Sequence, residues 1–176
     1  MRPRRDAYSL RLLLSQYTGE APQSMRFTRG PYGKPLLDGH SNLSFNVSHS
    51  GTRALIAIST RRIVGIDIEQ VNFMLDWRPL ADLVCTDGER LAIAHLPEIQ
   101  KVAMFFRYWT AKEALLKALG LGITQGLQVI AVNPFANGVQ RPTAQCEAIA
   151  EDVSVLRCNW LDEIIGHVSC LAYGKQ

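Results

Sequence analysis

The sequence predicts an α+β fold. Two observations predict it: a single strong helix near the middle of the chain, and short alternating strands before and after it. A third gives its size. At 176 residues and 47% apolar content the chain suits one domain or two small lobes with a proper core.

The central helix is Phe105-Phe106-Arg107-Tyr108-Trp109-Thr110-Ala111-Lys112-Glu113-Ala114-Leu115-Leu116-Lys117-Ala118-Leu119-Gly120. Ala, Leu, Lys and Glu fill its second half, and Gly120 is placed to end it. At 100° per residue, Val102, Phe105, Phe106, Trp109 and Leu116 share an apolar stripe. Glu113 lies on that stripe, where an ionised carboxylate is costly without a cation. Lys117 follows four positions later, which by itself reads equally well as a surface ion pair.

Ala7, Leu10, Leu13, Leu14 and Tyr17 recur at helical spacing, so an amphipathic helix opens the chain. Arg29-Gly30-Pro31-Tyr32-Gly33-Lys34-Pro35 is a turn whose amides and Lys34 can hold an anion or simply connect two elements. Leu43 to Ser48 alternates like a half-buried strand, His49-Ser50-Gly51 breaks it, and Ala54 to Ile58 resumes it. In Ile63-Val64-Gly65-Ile66-Asp67-Ile68-Glu69, period two sends Ile66 and Ile68 to the core and Asp67 with Glu69 to the opposite face. Two adjacent carboxylates suit Mg²⁺, although a solvated acidic face has the same pattern.

A short helix over Leu80 to Val84 follows. Thr86 and Glu89 then have capping-box spacing, which accounts for them without any function. Past the Leu121 to Gly126 loop, four strands are expected: Leu127 to Val132, Thr143 to Ile149, Val153 to Trp160 and His167 to Tyr173. Turns fall at Asn133-Pro134 and Asn137-Gly138.

Composition narrows the function. A net charge of +3 with one dense basic run, Met1-Arg2-Pro3-Arg4-Arg5, does not indicate nucleic acid. No apolar run approaches a membrane span. Cys85, Cys146, Cys158 and Cys170 lack zinc-like spacing and read as buried free thiols of a cytoplasmic protein. A monomer is expected.

Four stretches together resemble the 4′-phosphopantetheinyl transferases, of the type that activates surfactin synthetase. They are Tyr32-Gly33-Lys34-Pro35, Asn46-Val47-Ser48-His49-Ser50, Gly65-Ile66-Asp67-Ile68-Glu69, and Trp109-Thr110-Ala111-Lys112-Glu113-Ala114-Leu115-Leu116-Lys117. The Gly120 to Leu127 loop, Cys85-Thr86-Asp87-Gly88-Glu89 and Arg5-Asp6-Ala7 are similar as well. The resemblance implies two similar lobes, each a helix on a small antiparallel sheet, with coenzyme A in the cleft between them. The expected lobes are residues 1–62 and 63–176. Family members usually carry several dozen residues ahead of the Arg5-Asp6-Ala7 helix, so the first lobe is expected to lack its leading strand.

The resemblance also implies an activity. Phosphopantetheine would pass from coenzyme A to a serine of an apo acyl or peptidyl carrier protein, releasing 3′,5′-ADP. Asp67, Glu69 and Glu113 would hold Mg²⁺, with Glu113 also the candidate base. Lys112 and Lys117 would face the pyrophosphate, and Lys34, Ser48 and His49 the nucleotide end. The alternatives are a non-catalytic module that binds coenzyme A or a carrier protein, and an unrelated Mg²⁺-dependent phosphotransferase or nuclease. Against the latter, this sequence has no P-loop and no broad basic face.

Overall fold

The structure is a computed structural model that describes residues 3–122, 126–136, 138–161 and 163–175, with side chains described from Ala7 onward. Met1 and Arg2 of the basic run, the loop residues Ile123 to Gln125 and the expected turn residue Asn137 lie outside the described residues, as do the side chains of Arg4 and Arg5.

Helix α1 (Pro3–Thr18) leads into a small hairpin, β1 (Phe27–Arg29) with β2 (Pro35–Leu37), and a longer one, β3 (Ser44–Ser50) with β4 (Arg53–Ser59). Leu14, Met25, Leu37, Leu43 and Phe45 form the core of this half. Strand β3 runs on through His49 and Ser50, and the break falls at Gly51, whose φ of 58° suits a residue without a Cβ.

The second half begins with β5 (Arg62–Gln70). Next come α2 (Arg78–Val84), α3 (Asp87–Ala94) and α4 (Glu98–Leu119). Leu127–Val129 is a 3-10 turn, not strand, and only β6 (Ile130–Ala131) remains of the strand expected there. Likewise β7 (Thr143–Ala144) is short, Glu147–Ile149 is a 3-10 turn, and Val153 sits in α5 (Ala150–Ser154). Strands β8 (Arg157–Trp160) and β9 (His167–Lys175) complete an antiparallel sheet of order β5-β9-β8, while β6 pairs with β7 alone. The fold is α+β with small antiparallel sheets, as expected, but the meander is interrupted by helical turns.

Helix α4 explains how the halves meet. Its stretch from Thr110 to Leu116 is buried at every position, Lys112 and Glu113 included. One face lies on β5 and β9; α2 and α3 cover another. Over Thr110 to Leu116 the single apolar stripe expected from the helical wheel is therefore a helix buried all round, while Ile99 in the first turn is exposed. Gly65 makes the contact with β5 possible. A Cβ there would lie 2.1 Å from the Ala114 carbonyl oxygen and 2.3 Å from the Ala118 nitrogen.

Strand β3 approaches β5 without backbone pairing. The N–H groups of Val64, Ile66, Ile68 and Gln70 donate to the side chains of Ser44 (3.0 Å), Asn46 (2.8 Å), Ser48 (3.4 Å) and Ser50 (2.9 Å). The constant offset of 20 residues means that the two strands run parallel. The polar residues of β3 thus satisfy one edge of β5, and Ser44, Asn46 and Ser48 are buried. A half-buried strand with a solvated polar side was the expectation. The finding is a strand whose polar side is covered by β5, with Ser44 to Asn46 buried in succession and only His49 exposed.

Candidate active site

The face of β5 that carries Gly65 also carries Asp67, so the residues expected to point away from the core point at α4. Asp67 is 2% exposed. Lys117, one turn from the end of α4, places its Nζ 2.6 Å from Asp67 Oδ1 and 3.3 Å from Ser48 Oγ. Ser48 Oγ in turn donates to Asp67 Oδ1 at 2.8 Å. Two residues along, Ser50 Oγ donates to Glu69 Oε2 at 3.0 Å. Three elements, β3, β5 and α4, thus converge on two carboxylates.

Glu113, one turn before Lys117 on α4, belongs to the same electrostatic neighbourhood. Burial raises its carboxyl above the ordinary value; the Lys117 ammonium opposes that shift, and Asp67 and Glu69 add to it. Glu69 is also raised, first by burial and then by Asp67, against the Ser50 hydrogen bond, Lys117 and His49. His49 itself is exposed on β3, close enough to Glu69 to be felt there.

Lys34 reaches the site from the turn before β2. Its Nζ donates to the carbonyls of Val64 (3.1 Å) and Ala118 (2.9 Å), so it ties that turn to β5 and to the last turn of α4. Burial pushes its ammonium down to about 8. Lys34, Tyr32, Gly33 and Asn46 from the first half, with Lys117, Gly120 and Gly122 from the second, line a hollow of about 160 Å³. Lys34 is therefore beside the hollow, but its ammonium already serves two backbone carbonyls.

Lys112 corrects the expectation for it. It is fully buried on another side of α4, with Nζ 2.6 Å from Glu89 Oε2 and 2.7 Å from the Val84 carbonyl. A lysine held in a buried ion pair does not face a phosphate in this structure. Glu89 is corrected with it. Its capping box with Thr86 is present, but Oε2 also takes the Lys112 ammonium and Oε1 accepts the Val132 N–H at 2.9 Å. Capping-box spacing concealed this second task. The signal available was an acid and a lysine, both inside apolar surroundings. Among the cysteines, Cys85, Cys158 and Cys170 are buried and free, whereas Cys146 is free and exposed.

The donor set can be tested against Mg²⁺. Asp67, Glu69 and Glu113 offer only oxygen, which is the chemistry a hard cation takes. Asp67 Oδ2 is buried with no hydrogen-bond partner among the described residues, so one oxygen is free to meet a cation. Against this, no three carboxylate, imidazole or thiol groups among the described residues converge as a metal-holding cluster. The three expected ligands are neighbours, and Lys117 is the cation that balances them here. The donor chemistry fits, with the three expected carboxylates standing as neighbours around Lys117 and not drawn together as ligands among the described residues.

Comparison with known proteins decides the family. The family model of the 4′-phosphopantetheinyl transferase superfamily matches residues 63–160, more than half of the chain. The chain belongs to the 4′-phosphopantetheinyl transferase superfamily. It is 40% identical over 129 residues to the 4′-phosphopantetheinyl transferase HetI of Nostoc sp., covering 71% of this chain and 54% of HetI. It is 36% identical over 138 residues to the 4′-phosphopantetheinyl transferase AcpT of Salmonella typhimurium, covering 78% of this chain and 68% of AcpT. The chain spans about half the length of HetI and of a Synechocystis sp. relative, 54% and 50% respectively. The holo-ACP-synthase from Plasmodium yoelii shares the fold, with TM-score 0.52 and 18% identity over 63% of this chain and 91% of that one. No helix among the described residues is long and apolar enough to cross a membrane.

Proposed function

We propose that this chain transfers 4′-phosphopantetheine from coenzyme A to a serine hydroxyl of an apo acyl or peptidyl carrier protein, with Mg²⁺ as cofactor. The observation that carries this reading is the convergence of Ser48, Asp67 and Lys117 in one hydrogen-bonded group, beside Glu69 and Glu113, in a chain of this superfamily.

The reaction is an in-line displacement. The carrier serine Oγ bonds to the phosphorus on the pantetheine side of the coenzyme A pyrophosphate. The bond from that phosphorus to the bridging oxygen breaks, and 3′,5′-ADP leaves with the electron pair. Mg²⁺, held by Asp67, Glu69 and Glu113 when bound, would polarise the pyrophosphate and offset the charge that builds up.

The chain's own groups do the rest. Glu113 takes the serine proton, directly or through one water, from its place on α4 beside Lys117 and the two β5 carboxylates. Lys117 keeps its fixed charge at the pyrophosphate, released from Asp67 as phosphate oxygens approach. The exposed His49 supplies a donor toward the nucleotide end and Lys34 borders the hollow beside Lys117, whereas Ser48, expected there as well, is buried with its proton given to Asp67 and holds that carboxylate instead. In this reading Arg62 marks the join between a first lobe, residues 1–62, and a second, 63–176, with the site between them.

Incubation of the chain with coenzyme A, Mg²⁺ and an apo carrier protein, read by intact mass of the carrier, tests the proposal. The carrier is expected to gain one phosphopantetheine, and chelation by EDTA is expected to stop the reaction. An unchanged carrier alongside a folded chain overturns it.

A further inference from the structure

We infer that Ser50 is a positioning residue for Glu69, acting as the outermost rung of the side-chain ladder that β3 lays against β5. The inference rests on the transferase reading above and assigns a task to a residue that reading leaves unused.

Each rung of the ladder has one duty in common, to accept a β5 N–H. Ser44 accepts from Val64 and Asn46 from Ile66. The last two rungs have a second duty. Ser48 donates its hydroxyl proton to Asp67 Oδ1, and Ser50 donates its own to Glu69 Oε2. A serine hydroxyl has one proton and accepts through its lone pairs, so each of these serines has its proton committed to a carboxylate and its orientation fixed by the N–H it accepts. Because β3 and β5 run parallel with a constant offset, the spacing of two between Ser48 and Ser50 reproduces the spacing of two between Asp67 and Glu69. The carboxylates are therefore aimed in common by one strand of the other half.

Glu69 needs this more than Asp67 does. Asp67 is buried and also held by Lys117. Glu69 is only half-buried and has a longer side chain, and among the described residues the Ser50 side chain is what hydrogen-bonds it. Without Ser50 the Glu69 carboxylate has more rotamers to lose when it meets a cation. A purely structural Ser50 would serve β5 edge pairing alone. Ser44 is the internal control, since it has that duty and touches no carboxylate.

The test compares Ser50→Ala, Ser50→Thr and Ser44→Ala in two assays. Binding of Mn²⁺ alone is followed by electron paramagnetic resonance of the free ion, and the Mg²⁺ concentration for half-maximal transfer is read by carrier mass. Removing a group that orients a metal ligand typically weakens the metal by about tenfold or more. Ser50→Ala is expected to weaken both by about that factor, Ser50→Thr to restore them, and Ser44→Ala to leave both within about twofold while lowering stability. If Ser50→Ala does not melt cooperatively, Ser50→Cys, with its weak S–H donor, replaces it under the same criterion. Equal metal affinity in the Ser50 and Ser44 variants overturns the positioning role while the transferase reading stands. A wild-type chain that neither binds Mn²⁺ nor modifies the carrier overturns both.

Discussion

Lys117 of the long helix and Asp67 of β5 meet at 2.6 Å, with the Asp67 carboxylate 2% exposed and Lys117 partly open to solvent. This contact stands where a surface pair between Glu113 and Lys117 was the plainest reading of the spacing. It joins two elements 50 residues apart and leaves Glu113 to the same cluster. Removing the ammonium leaves a buried carboxylate facing two others. Breaking a fully buried pair costs about 3–5 kcal/mol, and solvent at Lys117 reduces that. Lys117→Ala is expected to lose about 2 kcal/mol at pH 7 in urea melts, and Mg²⁺ is expected to recover part of it. A loss below about 0.5 kcal/mol would show that the contact is not holding the site.

The buried Lys112–Glu89 pair leads to a second expectation. With Lys112 0% and Glu89 5% exposed, Glu89→Gln strands a buried ammonium. Urea melts should show a loss of about 3 kcal/mol or more, far beyond the roughly 1 kcal/mol of a lost helix cap. A loss within the cap range would mean that Lys112 finds another partner.

How legible was all this? The α+β class, the long helix and the acidic strand could be read from periodicity because each is a local property. The candidate residues from Ser48 to Lys117 could be read from motif order. What could not be read is which side of a buried element a polar group takes. Lys112 and Lys117 are both lysines of α4; only the packing of α2 and α3 sends one to Glu89, and only β5 draws the other to Asp67. The serines of β3 looked like a solvated face because alternation does not say whether water or another strand is opposite. Short strands such as β6 and β7 failed for a related reason, since the apolar runs around them serve 3-10 turns and α5 equally well.

Gly65 offers a test of the packing that builds the site. A methyl group there would collide with backbone atoms of Ala114 and Ala118, which cannot swing aside as a side chain can. Gly65→Ala is expected to cost about 3 kcal/mol, at the upper end for overpacking, and to weaken transfer because α4 carries Glu113 and Lys117. Melts and carrier mass check it together. A stable, active Gly65→Ala would mean that α4 and β5 are less closely apposed than described.

The pH dependence of the metal-free protein follows from Glu69 and Glu113. Both carboxyls hold their protons more tightly in the fold than their ordinary value of 4.5. Between that value and the raised one, the folded state binds more protons than the unfolded state, so this contribution to stability falls as pH rises. In EDTA, Glu113→Gln should therefore gain stability relative to wild type as pH goes from about 4.5 toward neutral. Urea melts along that range measure it. A difference independent of pH would mean that Glu113 carries no raised proton affinity.

The central claim is that Glu113 serves the transfer itself. The direct measurement is single-turnover modification of an apo carrier by wild type and Glu113→Gln, with saturating coenzyme A and Mg²⁺, read by intact mass. The glutamine keeps size and packing while removing the charge and the base. General-base contributions are about 10²–10⁴-fold, so the rate is expected to fall by at least about a hundredfold with the fold retained. A Glu113→Gln chain that modifies the carrier at close to the wild-type rate would contradict the account.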